Sequence, residues 1–386
     1  MAHCKICGVD NCDKHGFLLG KTVSIKEFSG SSPPEVFVGR WNYPNVYAGI
    51  LSPEKHGDTE TLSSPELWHK KQLSINQIIS NRNQLIYGRA QTNIKRLNEK
   101  FLSVLGEVAM THKSISTEFK LEKAIKKYKE KDKRIPLITN TAPIKRVLLQ
   151  ENPKIKKKVD YLVNDTDVKS RIAINELHKS KIPTSNIIKI LSAGLLGIKK
   201  NRKLVPTRWS ITAVDDTLSK AKLKNIKLFN EINEIQLFKA NAWGNYYWFL
   251  LLPDYFSFEV LEFSLKNYGI WHDHESFFAR KKYADSVTGA YYANRLALTE
   301  YLEKIKRQAT CIVFREITKE YTKPLGVGIL REISRNAFSK QPEKFNTIKE
   351  ALSKIQETMI SPIERYIKKS IILNNYKKQT RLNQFI

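Results

Sequence analysis

Hydrophobic positions along this chain recur with two different periods, which predicts a body built from both strands and helices. Four apolar runs have the length and residue types of strands: EVFVGRW (35–41), NVYAGIL (45–51), NYYWFLLL (245–252) and TCIVFREI (310–317). Helical spacing occurs over 64–96, with Ser64 as N-cap and Pro65 in the first turn, and again over 289–309. The segment 326–373 predicts two closing helices. The expected fold class is therefore α+β, a mixed body of short strands and amphipathic helices.

Two lysine-rich stretches in the middle of the chain also carry a helical pattern. The segment TEFKLEKAIKKYKEKDKRIP (117–136) predicts a basic amphipathic helix that stops at Pro136. A further helix is expected after Pro153, within 152–179. Lysine runs of this kind usually form solvated faces, although one of them could also contact phosphate.

The segment LSAGLLGIKKNRKLVPTRWSITAVDD (191–216) combines features that suggest a nucleic-acid contact. It predicts an apolar helix ending at Gly197, then a basic loop, and then a strand that leads to the acidic pair Asp215 and Asp216. Cations beside an aromatic face are typical of nucleic-acid sites. The candidate DNA contacts are Lys199, Lys200, Arg202, Lys203, Arg208 and Trp209. The acidic pair could hold a metal ion, or Asp215 could cap a following helix.

The charge of the chain favours the nucleic-acid interpretation. Its 386 residues include 66 Lys and Arg against 38 Asp and Glu, a formal net charge of +28. Phosphate backbones and anionic membrane surfaces are the partners that such an excess attracts. The start of the chain lacks the apolar core of a secretory signal, and the apolar runs at 187–198 and 246–252 are too short to span a bilayer. We therefore expect a cytoplasmic, nucleoid-associated protein whose partner is DNA and not a membrane.

Three of the four cysteines lie close together near the start and indicate a metal site. CKICGVDNCDKH places Cys4, Cys7, Cys12 and His15 at zinc-ligand spacing, and a C-x2-C turn presents two thiolates to one side of the ion. The predicted cofactor is zinc, held by these four residues in a small knuckle. The alternatives are an iron–sulfur cluster or reduced thiols without metal, and His3 could take the place of His15.

The chain ends in KKQTRLNQFI (377–386), whose last residues Leu382, Phe385 and Ile386 are apolar, whereas the termini of charged proteins are usually polar. A short helical turn would place Leu382, Phe385 and Ile386 on one side as an apolar plug, while Gln379 reaches a polar pocket. The ending therefore predicts either docking onto another protein or a helix end that packs on its own core.

Several long blocks of this chain resemble the archaeal Nre family of DNA repair proteins. The blocks are the cysteine-rich start, GSSPPEVFVGRWNYPNVYAG, LSAGLLGIKKNRKLVPTRWSITAVDD, RKKYADSVTGAYYANRLALTEYLEKIKRQA and PLGVGILREISRNAF. The resemblance implies a factor of the archaeal DNA damage response that docks on the sliding clamp PCNA through a C-terminal peptide. It places Cys4, Cys7, Cys12 and His15 on the family's zinc-binding segment. It places the PCNA-interacting motif on Gln379, Leu382, Phe385 and Ile386.

The expected organisation follows from these features. It consists of a zinc knuckle at 1–16, an N-terminal part of the body at 17–270, a C-terminal part at 271–373, and a flexible tail at 374–386 that carries the PCNA-interacting motif.

Two other classes of function stay open at this point. One is a DNA-directed enzyme, either a metal-dependent nuclease or an NAD-dependent nucleotidyl or ADP-ribosyl transferase. Its pocket would use Arg40, Arg202, Arg208, Asp215, Tyr291, Arg295 and Glu300. A weaker metal hypothesis concerns His272, His274 and Glu275, since alternate residues of a strand face the same way. The other class is an RNA-binding or ribosome-associated protein, which has no reason to carry a clamp motif.

Overall fold

The computed structural model of the chain describes residues 26–127 and 133–376. The predicted zinc ligands and the predicted PCNA-interacting motif both lie outside these residues. The chain divides into two compact units. The first unit is Met1–Thr217 with Pro324–Ile329, and the second unit is Leu218–Lys323 with Leu330–Ile386. Each unit contains a β-sheet covered by helices, so the expected α+β fold class is confirmed.

The first unit is built on a seven-stranded sheet. Its strands are β1 (Glu27–Ser32), β2 (Val36–Val38), β3 (Asn45–Ser52), β4 (Ile86–Asn93), β5 (Ile115–Leu121), β6 (Lys126–Lys127) and β7 (Asn140–Leu149). Their order is β1-β5-β7-β4-β3-β2, β6 pairs with β7, and β4 and β7 run parallel. Its helices are α1 (Pro65–Lys70), α2 (Ile75–Asn83), α3 (Lys100–Met110), α4 (Lys157–Asn164), α5 (Ser170–Lys179), α6 (Thr184–Ser192) and the first part of α7 (Thr207–Ile226).

The core of the first unit lies between its sheet and α3. Leu105 and Val108 of this helix are fully buried in one cluster with Val46, Ile50 and Phe119 of the strands. The strands contribute alternate residues to this cluster because successive side chains of a strand point to opposite faces of the sheet.

The second unit has a six-stranded sheet with helices on both faces. Its strands are β8 (Ile235–Ala242), β9 (Asn245–Leu252), β10 (Ser257–Ser264), β11 (Ile270–Glu275), β12 (Thr310–Ile317) and β13 (Glu343–Phe345), in the order β11-β10-β12-β9-β8-β13. Its helices are α8 (Gly289–Ile305), α9 (Val327–Phe338, which begins in the first unit), α10 (Ile348–Gln356), α11 (Glu364–Lys369) and α12 (Ile371–Tyr376). Strands β10 and β12 run parallel.

Successive side chains of β9 point to opposite faces of this sheet, and both faces are covered by helices. Leu250 faces a cluster that includes Ile355 of α10 and Tyr366 of α11. Its neighbour Phe249 points to the opposite face, where its ring centroid lies 4.8 Å from that of Phe338 in α9. A strand that is buried on both faces has a nearly continuous apolar sequence, and β9 has such a sequence.

Many of the predicted elements are confirmed. The strands at 35–41, 45–51, 245–252 and 310–317 match β2, β3, β9 and β12, and Cys311 is buried on β12. Ser64 caps α1 by accepting a hydrogen bond from the Leu67 amide at 3.3 Å, with Pro65 at the first helical position. The long helix predicted from 289 is α8.

One predicted helix is wrong in part, and a second is wrong throughout its described residues. The segment 64–96 contains α1 and α2 but then turns into strand β4. The basic helix predicted over 117–136 begins instead as β5, in which Ile115, Thr117, Phe119 and Leu121 are buried and the residues between them are more exposed. This period of two, and not the lysine content, determines the local structure.

The strand predicted over 204–216 is also wrong, because these residues lead into α7. Ile211, Val214 and Leu218 are buried at helical spacing, which overrides the β-propensity of the Ile and Val residues. The apolar helix before it ends earlier than predicted, at Ser192. Gly194 and Gly197 follow with φ angles of +76° and +110°, and positive φ favours glycine. None of the helices described at 26–127 and 133–376 is long and apolar enough to cross a membrane.

Candidate nucleic-acid interface

The turn between β2 and β3 presents aromatic and cationic side chains to solvent. Trp41 is 59% exposed and Tyr43 is 42% exposed. The guanidinium carbon of Arg40 lies 4.0 Å from the centre of the Trp41 ring, which is a cation–π contact. The turn is closed by hydrogen bonds from the Gly39 amide to the Tyr47 carbonyl (2.8 Å) and from the Asn45 amide to the Asn42 carbonyl (2.7 Å).

The first turn of α7 places Trp209 against this hairpin turn. The ring centroids of Tyr43 and Trp209 lie 5.2 Å apart, with 54° between the ring planes, and Trp209 is 43% exposed. The Thr207 hydroxyl accepts a hydrogen bond from the Val38 amide at 2.9 Å. Since Val38 ends β2, this bond fixes the start of the helix beside the hairpin.

Helix α6 also contacts both the start of α7 and the segment just before β2. The Ser192 hydroxyl lies 2.9 Å from that of Thr207 and donates to the Val205 carbonyl at 2.8 Å. Further back on this helix, the ammonium of Lys189 is 2.8 Å from the carboxylate of Glu35, just before β2, and both side chains are largely buried. These hydrogen bonds and this ion pair therefore hold in place the backbone segments that carry the exposed aromatic side chains.

The basic loop predicted to contact DNA lies between α6 and α7. Lys199, Lys200 and Lys203 are exposed, and the first two begin a short 3-10 turn. Gly194 lets the loop fold back closely, because a Cβ on this glycine would lie 2.7 Å from the Lys203 carbonyl carbon. Three solvent-exposed lysine side chains thus precede Trp209 along the chain, and Arg208 next to it is half-buried.

Arg202 has a different role from its lysine neighbours. Its Nε donates to the Gly197 carbonyl at 2.7 Å, Nη1 to the Val163 carbonyl at 2.8 Å, and Nη2 to the Asp165 carbonyl at 2.8 Å. These bonds tie the basic loop to the end of α4. The geometry therefore favours a structural role for Arg202 over the direct DNA contact expected from the sequence.

The residues expected to line an enzyme pocket are divided between the two units. Arg40 and Asp215 belong to the first unit, whereas Tyr291, Arg295 and Glu300 lie on α8 in the second unit. Asp215 is fully buried in the interior of α7, so the expectation that it caps a following helix is wrong.

Of the three residues on α8, Tyr291 and Arg295 are buried and Glu300 is half-buried. Arg295 Nη1 lies 2.9 and 3.0 Å from the two carboxylate oxygens of Glu275, and its Nε donates to the Ser219 hydroxyl at 3.1 Å. Glu300 accepts two hydrogen bonds from Arg335, at 2.7 and 2.8 Å. Burial, followed by the nearby Glu275 carboxylate, raises the pKa of Tyr291 well above its ordinary value.

The histidines of the WHDHE segment are used in hydrogen bonds and ring stacking. His272 Nε2 lies 2.6 Å from an oxygen of Glu259, which also accepts the Ile371 amide at the start of α12. The rings of His272 and His274 stack at 5.3 Å. Across the described ranges 26–127 and 133–376, no group of three or more His, Cys, Asp or Glu side chains could hold a metal ion.

A polar pocket of about 420 Å³ opens in the first unit. Its charged lining includes His56, Asp58, Glu60, Lys113 and Glu151. Partial burial, followed by the Asp58 charge, raises the pKa of Glu60, while a hydrogen bond from the Ser116 amide lowers the pKa of Glu151. None of the residues predicted to form an enzyme pocket lines it.

Comparison with known proteins places the chain in a family. The model of the N-terminal region of archaeal Nre matches residues 6–272, and the model of the C-terminal region matches 275–385. The chain belongs to the archaeal Nre family. The family membership expected from the sequence is therefore confirmed.

Relatives of this Nre chain match over most of its length. The DNA repair protein NreB of Archaeoglobus fulgidus is 34% identical over 371 residues, which cover 94% of this chain and 93% of the relative. The DNA repair protein NreA of Haloferax volcanii is 31% identical, over 87% of this chain and 84% of the relative. The DNA repair protein NreA of A. fulgidus is 34% identical, over 91% and 92%. No solved structure matches the chain.

The sequence of this Nre protein did not identify all the residues of the candidate interface. Trp209 was expected there, but its contact with Tyr43 and the exposure of Trp41 were not. The available signal was the segment RWNYP (40–44), where two aromatic residues and an arginine occupy a turn and cannot reach the core by strand alternation.

Proposed function

We propose that this Nre protein is a DNA repair factor that binds DNA through a basic aromatic surface on its first unit. This surface consists of Arg40, Trp41, Tyr43, Lys199, Lys200, Lys203 and Trp209. The observation that carries the proposal is the exposed contact of Tyr43 with Trp209, next to a loop with three solvated lysines. The names of the relatives, which are DNA repair proteins, support the repair role.

The physical requirements of DNA binding agree with this surface. Lysines that neutralise phosphates release condensed counterions, which gives affinity without sequence preference. Exposed aromatic faces add stacking with unpaired bases. The net charge of +28 favours approach to any polyanion, and the fixed lysines and rings of this surface would then determine how the strand lies.

Recruitment to DNA is proposed to depend on the C-terminal peptide. Gln379, Leu382, Phe385 and Ile386 have the spacing of a PCNA-interacting motif. The preceding helix α12 is anchored because Glu259 accepts the amides of Ile371 and Ile372 at its start. The motif would thus follow a fixed helix at a short distance along the chain, where Lys377, Lys378 and Arg381 would favour an acidic clamp surface.

The N-terminal segment is proposed to bind one zinc ion. Three thiols and one imidazole, from Cys4, Cys7, Cys12 and His15, form a donor set that suits zinc in a closed structural site. When bound, the metal would supply folding free energy to a segment with few apolar residues. The role of these four side chains would be to fold the segment around the ion.

Charge reversal in the basic loop tests the DNA-binding proposal. The variant K199E/K200E/K203E should flatten the dependence of log K on log salt by about two to three units, because each lost phosphate contact removes roughly 0.9. The control K319E/K340E/K349E changes the net charge equally at exposed lysines of the second unit. Binding is measured by fluorescence anisotropy on a labelled duplex across salt concentrations, and thermal unfolding checks the fold. Equal slopes for both variants would overturn the proposed surface.

A further inference from the structure

A second group of exposed aromatic side chains lies in the second unit, on the loops that follow β9 and β11. Phe278 is 80% exposed, Tyr255 is 61% exposed and Phe277 is 39% exposed. The ring centroids of Tyr255 and Phe277 are 5.9 Å apart at 73°, and those of Phe277 and Phe278 are 5.6 Å apart at 84°. We call these three residues the aromatic platform. The high exposure of Phe278 and Tyr255 leaves much of these two rings in contact with solvent.

Hydrogen bonds and an ion pair fix the loop that carries Phe277 and Phe278. The Arg280 guanidinium donates to the carbonyls of His274 at 2.9 Å and Tyr283 at 3.1 Å, and it pairs with Asp273 at 3.0 Å. Asp273 in turn accepts the Val287 amide at 2.7 Å. These contacts hold both ends of the loop that carries Phe277 and Phe278. The exposure of the two rings is therefore a feature of the folded loop.

Lys227 contacts the aromatic platform, and two more lysines follow the platform along its loop. The Lys227 ammonium lies 4.7 Å from the centre of the Phe277 ring and donates to the Phe277 carbonyl. Partial burial lowers the pKa of Lys227 below its ordinary value. Lys281 and Lys282 follow the platform on the same loop with exposed side chains.

Few acidic groups oppose these cations. The Asp254 carboxylate turns back to accept the Tyr255 amide at 2.8 Å, and Glu275 is buried in its pair with Arg295. Asp285 is exposed further along the loop. Lys227, Lys281 and Lys282 outnumber Asp254 and Asp285, and this small positive excess suits an anionic occupant with flat apolar faces more than an apolar peptide or a second copy of this basic chain.

We propose that the aromatic platform stacks against unpaired bases of a DNA strand, with Lys281 and Lys282 on its phosphates. This inference rests on the proposed function and deepens it, because it assigns single-stranded or gapped DNA as the preferred substrate class. Bases within a duplex already stack on one another and offer no face to the platform. Base–aromatic stacking contributes to single-strand affinity with little dependence on sequence.

The test compares F277A/F278A with wild type in the full chain. The probes are a fluorescent oligothymidylate and a blunt duplex of the same length, both at fixed salt. The variant should bind the oligothymidylate about 5- to 150-fold more weakly, the range expected for the loss of one stacked base, and should bind the duplex as wild type does. F278A alone should show part of the loss, and since Phe278 is 80% exposed its removal leaves the fold intact. The control Y268A removes another exposed ring of the same unit, which is 72% exposed.

The outcomes separate this inference from the proposed function. If F277A/F278A and F278A bind both probes like wild type, or lose both equally, the platform assignment is wrong while DNA binding stands. If wild type binds neither probe with salt dependence, the proposed function itself fails. If the variants instead abolish a concentration-dependent dimer seen in analytical ultracentrifugation and leave DNA binding unchanged, the platform is a contact between copies and the inference is overturned.

Discussion

Tyr43 and Trp209 lie with their ring centroids 5.2 Å apart, although one belongs to a hairpin turn and the other to the first turn of a distant helix. The hydrogen bond between the Val38 amide and the Thr207 hydroxyl holds these two segments together. The two rings therefore need little reordering when a ligand binds. A fixed aromatic pair loses less conformational entropy on binding than two mobile side chains would.

The Trp209 ring is predicted to contribute stacking energy to the binding of single strands. Trp209→Ala should weaken binding of an oligothymidylate by about 1–3 kcal/mol, the usual value for one stacked base. Trp209→Phe should keep most of the affinity because an aromatic face remains. Anisotropy titrations measure the binding and thermal unfolding reports the fold. An alanine variant that binds like wild type would remove Trp209 from the interface.

Arg202 is predicted to stabilise the basic loop more than it binds DNA. Arg202→Ala removes three hydrogen bonds to carbonyls and should lower the free energy of unfolding by about 2 kcal/mol or more. Lys200→Ala, at an exposed neighbour, should leave stability unchanged within about 0.5 kcal/mol. Urea denaturation measures both variants. A stable Arg202→Ala protein with a large loss of DNA affinity would instead support the direct contact expected from the sequence.

The N-terminal segment is predicted to carry about one zinc ion per chain. Cys7→Ser should lose the metal while the described units keep their melting behaviour. Cys311→Ala is the matched control, because this cysteine is fully buried on β12 and should not affect metal content. Elemental analysis measures the zinc in each protein. Iron with visible absorbance in the wild type would contradict the zinc assignment.

The C-terminal peptide is predicted to be necessary for clamp binding. Deletion of 379–386 should abolish binding to PCNA and leave both the melting temperature and the salt dependence of DNA binding unchanged. Phe385→Ala alone should cost about 2 kcal/mol or more of binding free energy, as expected for a buried aromatic anchor. Asn383→Ala is the control within the same peptide. Calorimetry with purified clamp measures all three, and wild-type affinity of the deleted protein would exclude the motif.

The elements that could be predicted from the sequence are those whose local signals agree with their tertiary surroundings. Strand β9 is apolar or aromatic from Tyr246 to Leu252 because it is buried on both faces, and α1 begins at Pro65 because a capping serine and a proline occur together. Strand β5 was missed because, although its only charged residues are Glu118 and Lys120, the lysine-rich stretch that follows it, 123–133, gives the whole segment the composition of a helix surface. Its alternation is visible only as Ile115, Thr117, Phe119 and Leu121.

The candidate interface was only partly predictable, for a different reason. Basic residues followed by Trp209 could be recognised as a local pattern, whereas the approach of Tyr43 depends on sheet register and on the Thr207 hydrogen bond. Arg202 could not be distinguished from its lysine neighbours, because nothing local shows that its donors meet the carbonyls of Val163 and Asp165. Contacts between residues distant in sequence therefore determine which cationic side chains are exposed and able to contact DNA.

This Nre protein is proposed to bind DNA through phosphate contacts on a basic surface. The most direct test is the slope of log K against log salt for the wild-type chain on a duplex. Three exposed lysines in the basic loop predict a slope of about −3 or steeper, since each neutralised phosphate contributes roughly −0.9. A slope near zero would contradict the account.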